Sequence, residues 1–308
     1  PYRNSEILPT EMDTHGWHQN LYLSQFSQFK QLQRGNLTML MNRRDFLVKG
    51  GVVVGTSLIP NTALAVFGSS VRGTMGAAGA GVSGTSYSFD GNGDYLSMTD
   101  HADWDISASD FTLEFFIRVA DATPSSDYAI WSQRVNNDDQ NDFRLRSSGA
   151  FSYLAKRATV ELVEIVSTAE VLTANTWHHV AYERVNDNYF IWVDGVDTLT
   201  SGSPDSDNPG TLSPAISIGR RGGGGSDFRG NLDEFRVSNI SRYGSDFSGS
   251  VPSVEFTSDA NTVFLMHCNE AIVSGTTGSG ATFADSGNTG HTVTENGDAI
   301  RDTSIYKF

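Results

Sequence analysis

Two adjacent histidines follow a tryptophan in Thr176-Trp177-His178-His179-Val180. Paired imidazoles are what a transition metal or a proton-transfer site would use. The setting argues against both. The run continues as VAYERV, a tight Asn186-Asp187-Asn188 connection, YFIWV, and then Asp194-Gly195, a dipeptide that strongly favours a two-residue hairpin. Successive residues of a strand face opposite sides. Trp177, His179 and Ala181 therefore share one face, and His178, Val180 and Tyr182 the other. The two imidazoles cannot serve one metal or one substrate, and residues 177–200 are predicted to form a three-stranded meander.

Catalytic signatures are missing elsewhere too. Glycoside hydrolysis needs two carboxylates set across a sugar, and TLEFFIRV, VELVEIV and LDEFRV all lack a Glu-x-Asp-x-x-Glu spacing that would place them on one strand. The chain has no Gly-x-Ser-x-Gly elbow and no His-Glu-x-x-His. Gly222–Gly225 lacks the lysine and the helix that a phosphate loop needs, so it reads as a turn. The single cysteine, Cys268, rules out an intramolecular disulfide and a cysteine zinc site. Within FLMHC it reads as a small buried apolar residue.

Were the chain to bind a sugar, other residues would carry that chemistry. Sugar faces stack on aromatic rings and take hydrogen bonds from amides and carboxylates. Trp131, Tyr128 and Trp104 are the ring candidates, because they are expected to adjoin loops. Asn136 and Asp138 of the acidic NNDDQND loop (136–142) are the polar candidates.

The composition argues against a nucleic-acid binder and for a chain of many turns. A net charge of −15 repels phosphate backbones. The 31 glycines, with abundant Ser, Thr, Asn and Asp, imply many turns and hence many short strands. No apolar run reaches the ~20 residues that a transmembrane helix requires.

Residues 41–65, MNRRDFLVKGGVVVGTSLIPNTALA, join Arg43-Arg44 to a weakly apolar stretch and close on Ala63-Leu64-Ala65. This resembles a twin-arginine export signal. The mature chain is then expected to start near Val66 and to be exported already folded, with residues 1–40 a dispensable or untranslated upstream extension. Residues 66–84 read as a Gly/Ala/Ser linker.

From residue 85 the text alternates with a period of two. In FTLEFFIRV, Phe111, Leu113, Phe115, Ile117 and Val119 share one face. DYAIWSQRV, DFRLRSS, FSYLAKR, TVELVEIV, AISIGR and LDEFRVS read as further strands, and only residues 103–107 suggest a helical turn. This pattern predicts an all-β, antiparallel two-sheet sandwich behind a non-globular leader.

Four elements in order carry a resemblance: YSFDGNGDYLSM, DWDISASDFTLEFFIRV, TWHHVAYERVNDNYFIWVDGVDT, and ISIGRR…FRGNLDEFRVSNISRY. Over residues 85–245 or so the chain resembles the laminin-G-like, pentraxin-like branch of the concanavalin-A-like jelly rolls. The resemblance implies a jelly roll over residues 85–254, with Trp177 packed in the sandwich and the histidines within a sheet. It also implies that the first and last strands are neighbours, which would bring Asp90, Asn92 or Asp94 close to Asp233. Such a set of hard oxygens could hold one structural calcium ion.

Residues 255–308 resemble the segment that opens a further copy in tandem arrays of such domains. They are expected either to begin a second copy or to fold back and complete the first. The function expected is non-catalytic recognition of a glycan or a surface protein, on an exported or virion-associated protein. The alternatives are a structural adhesion repeat of a fibre-like array and a sandwich glycosidase.

Overall fold

The computed structural model describes residues 84–105, 109–201, 210–276 and 278–308. The upstream segment 1–40, the export-signal segment 41–65 and the linker as far as residue 83 lie outside the described residues.

The alternating segments become strands β1 (Ser86–Asp90), β2 (Tyr95–Met98), β3 (Phe111–Arg118), β4 (Tyr128–Arg134), β5 (Gln140–Leu145) and β6 (Phe151–Arg157). Next come β7 (Val160–Ser167), β8 (His178–Val185), β9 (Asn188–Val193), β10 (Val196–Asp197), β11 (Leu199–Ser201) and β12 (Ile216–Ile218). The chain then runs through β13 (Arg229–Ser238), β14 (Thr262–Met266), β15 (Thr282–Ala284), β16 (Thr292–Asn296) and β17 (Ile300–Asp302). Of the turn expected at 103–107, the described part is a short 3-10 turn at Ala102–Trp104, and residues 106–107 lie outside the described residues.

These strands form two antiparallel sheets. One has the order β10-β9-β8-β3-β13-β1-β17, with β14 also pairing β13. The other has the order β11-β7-β6-β5-β4-β12-β2-β16-β15. Between them lies one core in which the apolar parity of each strand meets: Phe111, Leu113, Phe115 and Ile117 from β3 face Ile130, Trp131 and Phe143 from β4 and β5. The architecture is the expected sandwich.

Turn chemistry fixes the register of the meander. Asn186 and Asp187 both have positive φ (48° and 63°), as do Asp194 and Gly195 (50° and 79°). Such pairs form the two-residue turns whose twist matches antiparallel strands. The chain then leaves this sheet, and β11 pairs with β7 in the other.

The tail belongs to the same sandwich. β17 pairs β1, β16 pairs β2, and β14 takes the part of β13's edge that β1 leaves open. Trp177 lies elsewhere than between the sheets. It packs with Phe116, Phe256, Leu265 and Phe308 on the outer side of the first sheet. Strand parity is the reason: the face shared by Trp177, His179 and Ala181 points away from the core. Among the described residues, no helix is long and apolar enough to cross a membrane.

Candidate functional site

The two outer faces of the sandwich differ. On the β8–β3–β13 sheet, Ala181, Trp192 and Phe247 form a buried outer layer with Phe190, Tyr243 and Val251. Beneath the chain that follows β13, Glu183 accepts hydrogen bonds from the backbone amides of Arg242 (2.7 Å), Tyr243 (2.7 Å) and Gly244 (2.9 Å). It also accepts from Trp192 Nε1 (2.9 Å). Glu114, fully buried, accepts from Arg236 Nε (2.8 Å) and Tyr243 Oη (2.5 Å) and meets His179 Nε2 at 3.0 Å. Burial pushes the Glu114 pKa up, but His179, Arg236 and Tyr243 outweigh it and bring it to about 2. Aromatic packing and buried ion pairs therefore seal this face.

The outer face of the other sheet carries small polar side chains. In β2, β12 and β16 the core parity is held by Leu96, Met98, Ile216, Ile218 and Val293. Ser and Thr occupy the opposite parity. Cross-strand pairing lines them up as Thr282, Thr294, Ser97, Ser217 and Ser132, one from each of β15, β16, β2, β12 and β4. Five strands at about 4.8 Å spacing make a polar floor roughly 19 Å long. Exposure falls along it, from half-buried Thr282, Thr294 and Ser97 to Ser217 at 9% and Ser132 at 0%.

The deep end is closed by charge. Ser132 Oγ donates to Asp142 Oδ1 (2.6 Å), and Arg221 Nε donates to Asp142 Oδ2 (3.0 Å). Arg221 also reaches Gln140 Oε1 (2.7 Å), and the Gly222 amide donates to Ser132 Oγ (3.0 Å). So Gly222–Gly225 is a tight turn that folds over the floor. Beside the row, the Arg220 guanidinium lies 5.5 Å from the centre of the Tyr95 ring, and Asn296 donates to Ser97 Oγ (2.9 Å). A planar ring, a guanidinium, an amide and a row of hydroxyls form a donor and acceptor set suited to a polyhydroxylated ligand.

The residues singled out in sequence fall in several places. Trp131 is 4% exposed and lies mid-strand in β4, stacked on Phe235 across the core. Trp104 is 2% exposed, edge-on to Trp131, and donates from Nε1 to Thr99 O (3.0 Å). Trp131 faces inward from β4, and the 3-10 turn after β2 folds Trp104 in against Trp131 and Phe264. Tyr128 is half-buried against Phe228. Asn136 and Asp138 are exposed, and Asn136 Oδ1 is occupied by the amides of Asp138 (2.7 Å) and Asp139 (2.9 Å).

The expected calcium ligands separate. β1 does pair with β13, but in a register that sets Asp90 opposite Arg229. That leaves Asp233 four residues, roughly 13 Å, farther along β13. Asp233 is 2% exposed and accepts from the Lys307 amide (2.8 Å). Burial pushes its pKa up to about 8, with the Glu234 charge adding to the rise. Asp90 and Asp94 instead converge with Asp298, with one carboxylate oxygen from each within 4.8 Å of the others. Asn92 turns its backbone amide to Asp90 Oδ1 (2.6 Å).

This oxygen set suits a hard cation. Asp94, however, already accepts from the amides of Asp90 (2.9 Å) and Asp298 (2.8 Å). Burial lifts its pKa to about 6.

Sequence reasoning missed the hydroxyl row, Tyr95, Arg220, Arg221 and Asp298. The outward parity of Ser97, Ser217 and Thr294 was visible in YLSM, ISI and TVTEN. Which strands lie side by side was not.

The sequence model described as the concanavalin A-like lectin/glucanases superfamily matches residues 90–246. No curated protein matches the chain in sequence. Among solved structures, a candidate carbohydrate binding protein from Bacteroides ovatus ATCC 8483 is 17% identical with a TM-score of 0.52. That match covers 73% of this chain, which spans 61% of the other protein's length. A heptameric SAP-like pentraxin from Limulus polyphemus is 14% identical with a TM-score of 0.43, covering 72% of this chain and 98% of that one. The Ruminococcus gnavus IT-sialidase CBM40 is 11% identical with a TM-score of 0.42, covering 54% and 96%.

Proposed function

The chain belongs to the concanavalin A-like lectin/glucanases superfamily, and from that membership we propose that it is a non-catalytic module that binds carbohydrate on the outer face of its nine-stranded sheet. The observation that carries this reading is the contrast between the two outer faces. One is sealed by Trp192, Phe247 and the Glu183 amide cluster. The other presents the Thr282–Thr294–Ser97–Ser217–Ser132 row beneath Tyr95, Arg220 and Arg221. Sugars are recognised by such mixtures of hydroxyl, amide and guanidinium groups with one or two rings for stacking.

Catalysis finds no support at this face. Of the carboxylates described along this row, Asp142 is fully buried and held by Ser132 and Arg221, and Glu164, two strands farther on, is paired with Arg146, so neither stands free as the acid or base that sugar hydrolysis needs. Nor does the tail favour an adhesion repeat, because β14 to β17 are strands of this sandwich. Glycan recognition fits a protein carried outside a cell or on a virion surface, as the export-like segment at 41–65 suggests.

The calcium proposal now rests on Asp90, Asp94 and Asp298. When bound, the ion would supply charge neutralisation where β1, β2 and the β16–β17 connection meet.

Screening the purified chain against an immobilised glycan array, with and without calcium, tests the reading. Saturable binding to a defined set of sugars supports it. An array without hits in both conditions contradicts it.

A further inference from the structure

A second constellation lies where β2 ends and β16 begins. His101 and Asp103 belong to the 3-10 turn after β2, and His291 lies in the β15–β16 connection, about 190 residues later in the sequence. One ligand atom from each falls within 4.8 Å of the other two. Asp103 Oδ2 is 2.8 Å from His291 Nε2 and 3.4 Å from His101 Nδ1. Two imidazoles and a carboxylate around one point form a borderline-soft donor set, unlike the all-oxygen cluster at Asp90.

We propose that His101, Asp103 and His291 bind a divalent transition ion of the zinc class. Three further observations support this reading.

The first is spacing. Zn–N and Zn–O bonds of about 2.0–2.1 Å in a tetrahedron put neighbouring ligand atoms roughly 3.3 Å apart. The 3.4 Å and 2.8 Å separations need only small movements to reach that value.

The second is the state of His101. His101 Nδ1 lies 3.4 Å from Asp103 Oδ2. It accepts only a long hydrogen bond from the Asp103 backbone N–H (3.2 Å), which an ion bound at this nitrogen would displace.

The third is that the surroundings fix the ligands. Thr289 Oγ1 donates to Asp103 Oδ2 (2.7 Å). His291 is clamped by Asp285, which accepts from its backbone amide and donates its own amide to the His291 carbonyl (3.0 Å). The Trp104 ring lies 4.4 Å from the imidazole. Ordered neighbours of this kind orient metal ligands.

Three protein ligands leave a fourth position, which opens toward solvent on the side of exposed His101. The ion would join the β15–β16 hairpin to the turn after β2, fastening the tail to the body of the sandwich.

The test is titration of the EDTA-stripped full chain with zinc chloride, followed by calorimetry, thermal melting and amide exchange. The expected result is zinc binding that raises the melting midpoint and slows exchange in residues 285–296. Because His101 is exposed, His101→Ala leaves the fold intact, and it should weaken that binding roughly tenfold or more. His291→Gln should do the same, and His267→Ala should not. Absence of zinc binding overturns the proposal. So does zinc binding unchanged in His101→Ala, because the ion would then sit on other imidazoles.

Discussion

The indole of Trp131 lies nearly parallel to the ring of Phe235, with centroids 5.9 Å apart and planes 16° apart, across the seam between the two sheets. Trp131 is thus a core residue, although a tryptophan in a sandwich lectin invites a ligand-stacking role. Trp131→Ala should cost about 3–5 kcal/mol, as large-to-small changes in cores do. Urea unfolding measures it. A loss below ~1 kcal/mol would return Trp131 to the list of ligand candidates.

The buried pair of Glu114 and His179 sets the acid limb of stability. Glu114 falls from 4.5 to about 2 in the folded state, where burial is outweighed by His179, Arg236 and Tyr243. A depressed carboxyl stabilises the fold fully above pH 4.5, and that contribution is lost as the pH falls toward 2, a difference of about 3 kcal/mol. Glu114→Gln should therefore flatten the melting profile between pH 4.5 and 2. At pH 7 it should cost about 3–5 kcal/mol, because Arg236 and His179 lose their buried partner. An unchanged acid limb would contradict this assignment.

Asp233 should act in the opposite sense. Burial raises its pKa from 3.8 to about 8. The folded state holds this proton, so the contribution present below pH 3.8 is lost as the pH rises through 8. Asn can still accept the Lys307 amide, and it carries no charge. Asp233→Asn should thus raise the melting midpoint at pH 8 by roughly 3–6 °C, the shift that 1–2 kcal/mol gives a domain of this size. A lower midpoint at pH 8 would show that the carboxylate is needed in ionised form.

Calcium separates two sets of aspartates. An ion held by Asp90, Asp94 and Asp298 should raise the melting midpoint by mass action. Asp298→Asn should abolish that rise, and Asp233→Asn should leave it. Thermal melts in calcium and in EDTA check both variants. A rise that survives Asp298→Asn, or no rise in the parent chain, would remove the ion from this cluster.

The fold was legible because strand parity and turn chemistry are local. FTLEFFIRV shows its buried face directly, and Asn186-Asp187 and Asp194-Gly195 announce their hairpins. The site was less legible because it depends on register and on strand order. Asp90 and Asp233 lie on neighbouring strands, yet four residues of register separate them. The partner that Asp90 does meet, Asp298, lies 208 positions away in a tail that could equally have opened another domain. The hydroxyl row has the same origin, since Ser97 and Ser217 become neighbours only through the β12–β2 pairing. Trp104 in its 3-10 turn and Trp131 in mid-β4 both point into the core, and an aromatic side chain carries no local sign of which side it faces.

The most direct measurement of the central claim is calorimetric titration of the best array glycan into the parent chain and into Ser97→Trp. Ser97 is the middle residue of the row, half-buried and on the outward parity of β2, so an indole there covers the floor from the outside without entering the core. The account predicts saturable binding to the parent and none to the variant, with identical circular dichroism for both. Equal affinity in the two proteins would place the sugar elsewhere and contradict the account.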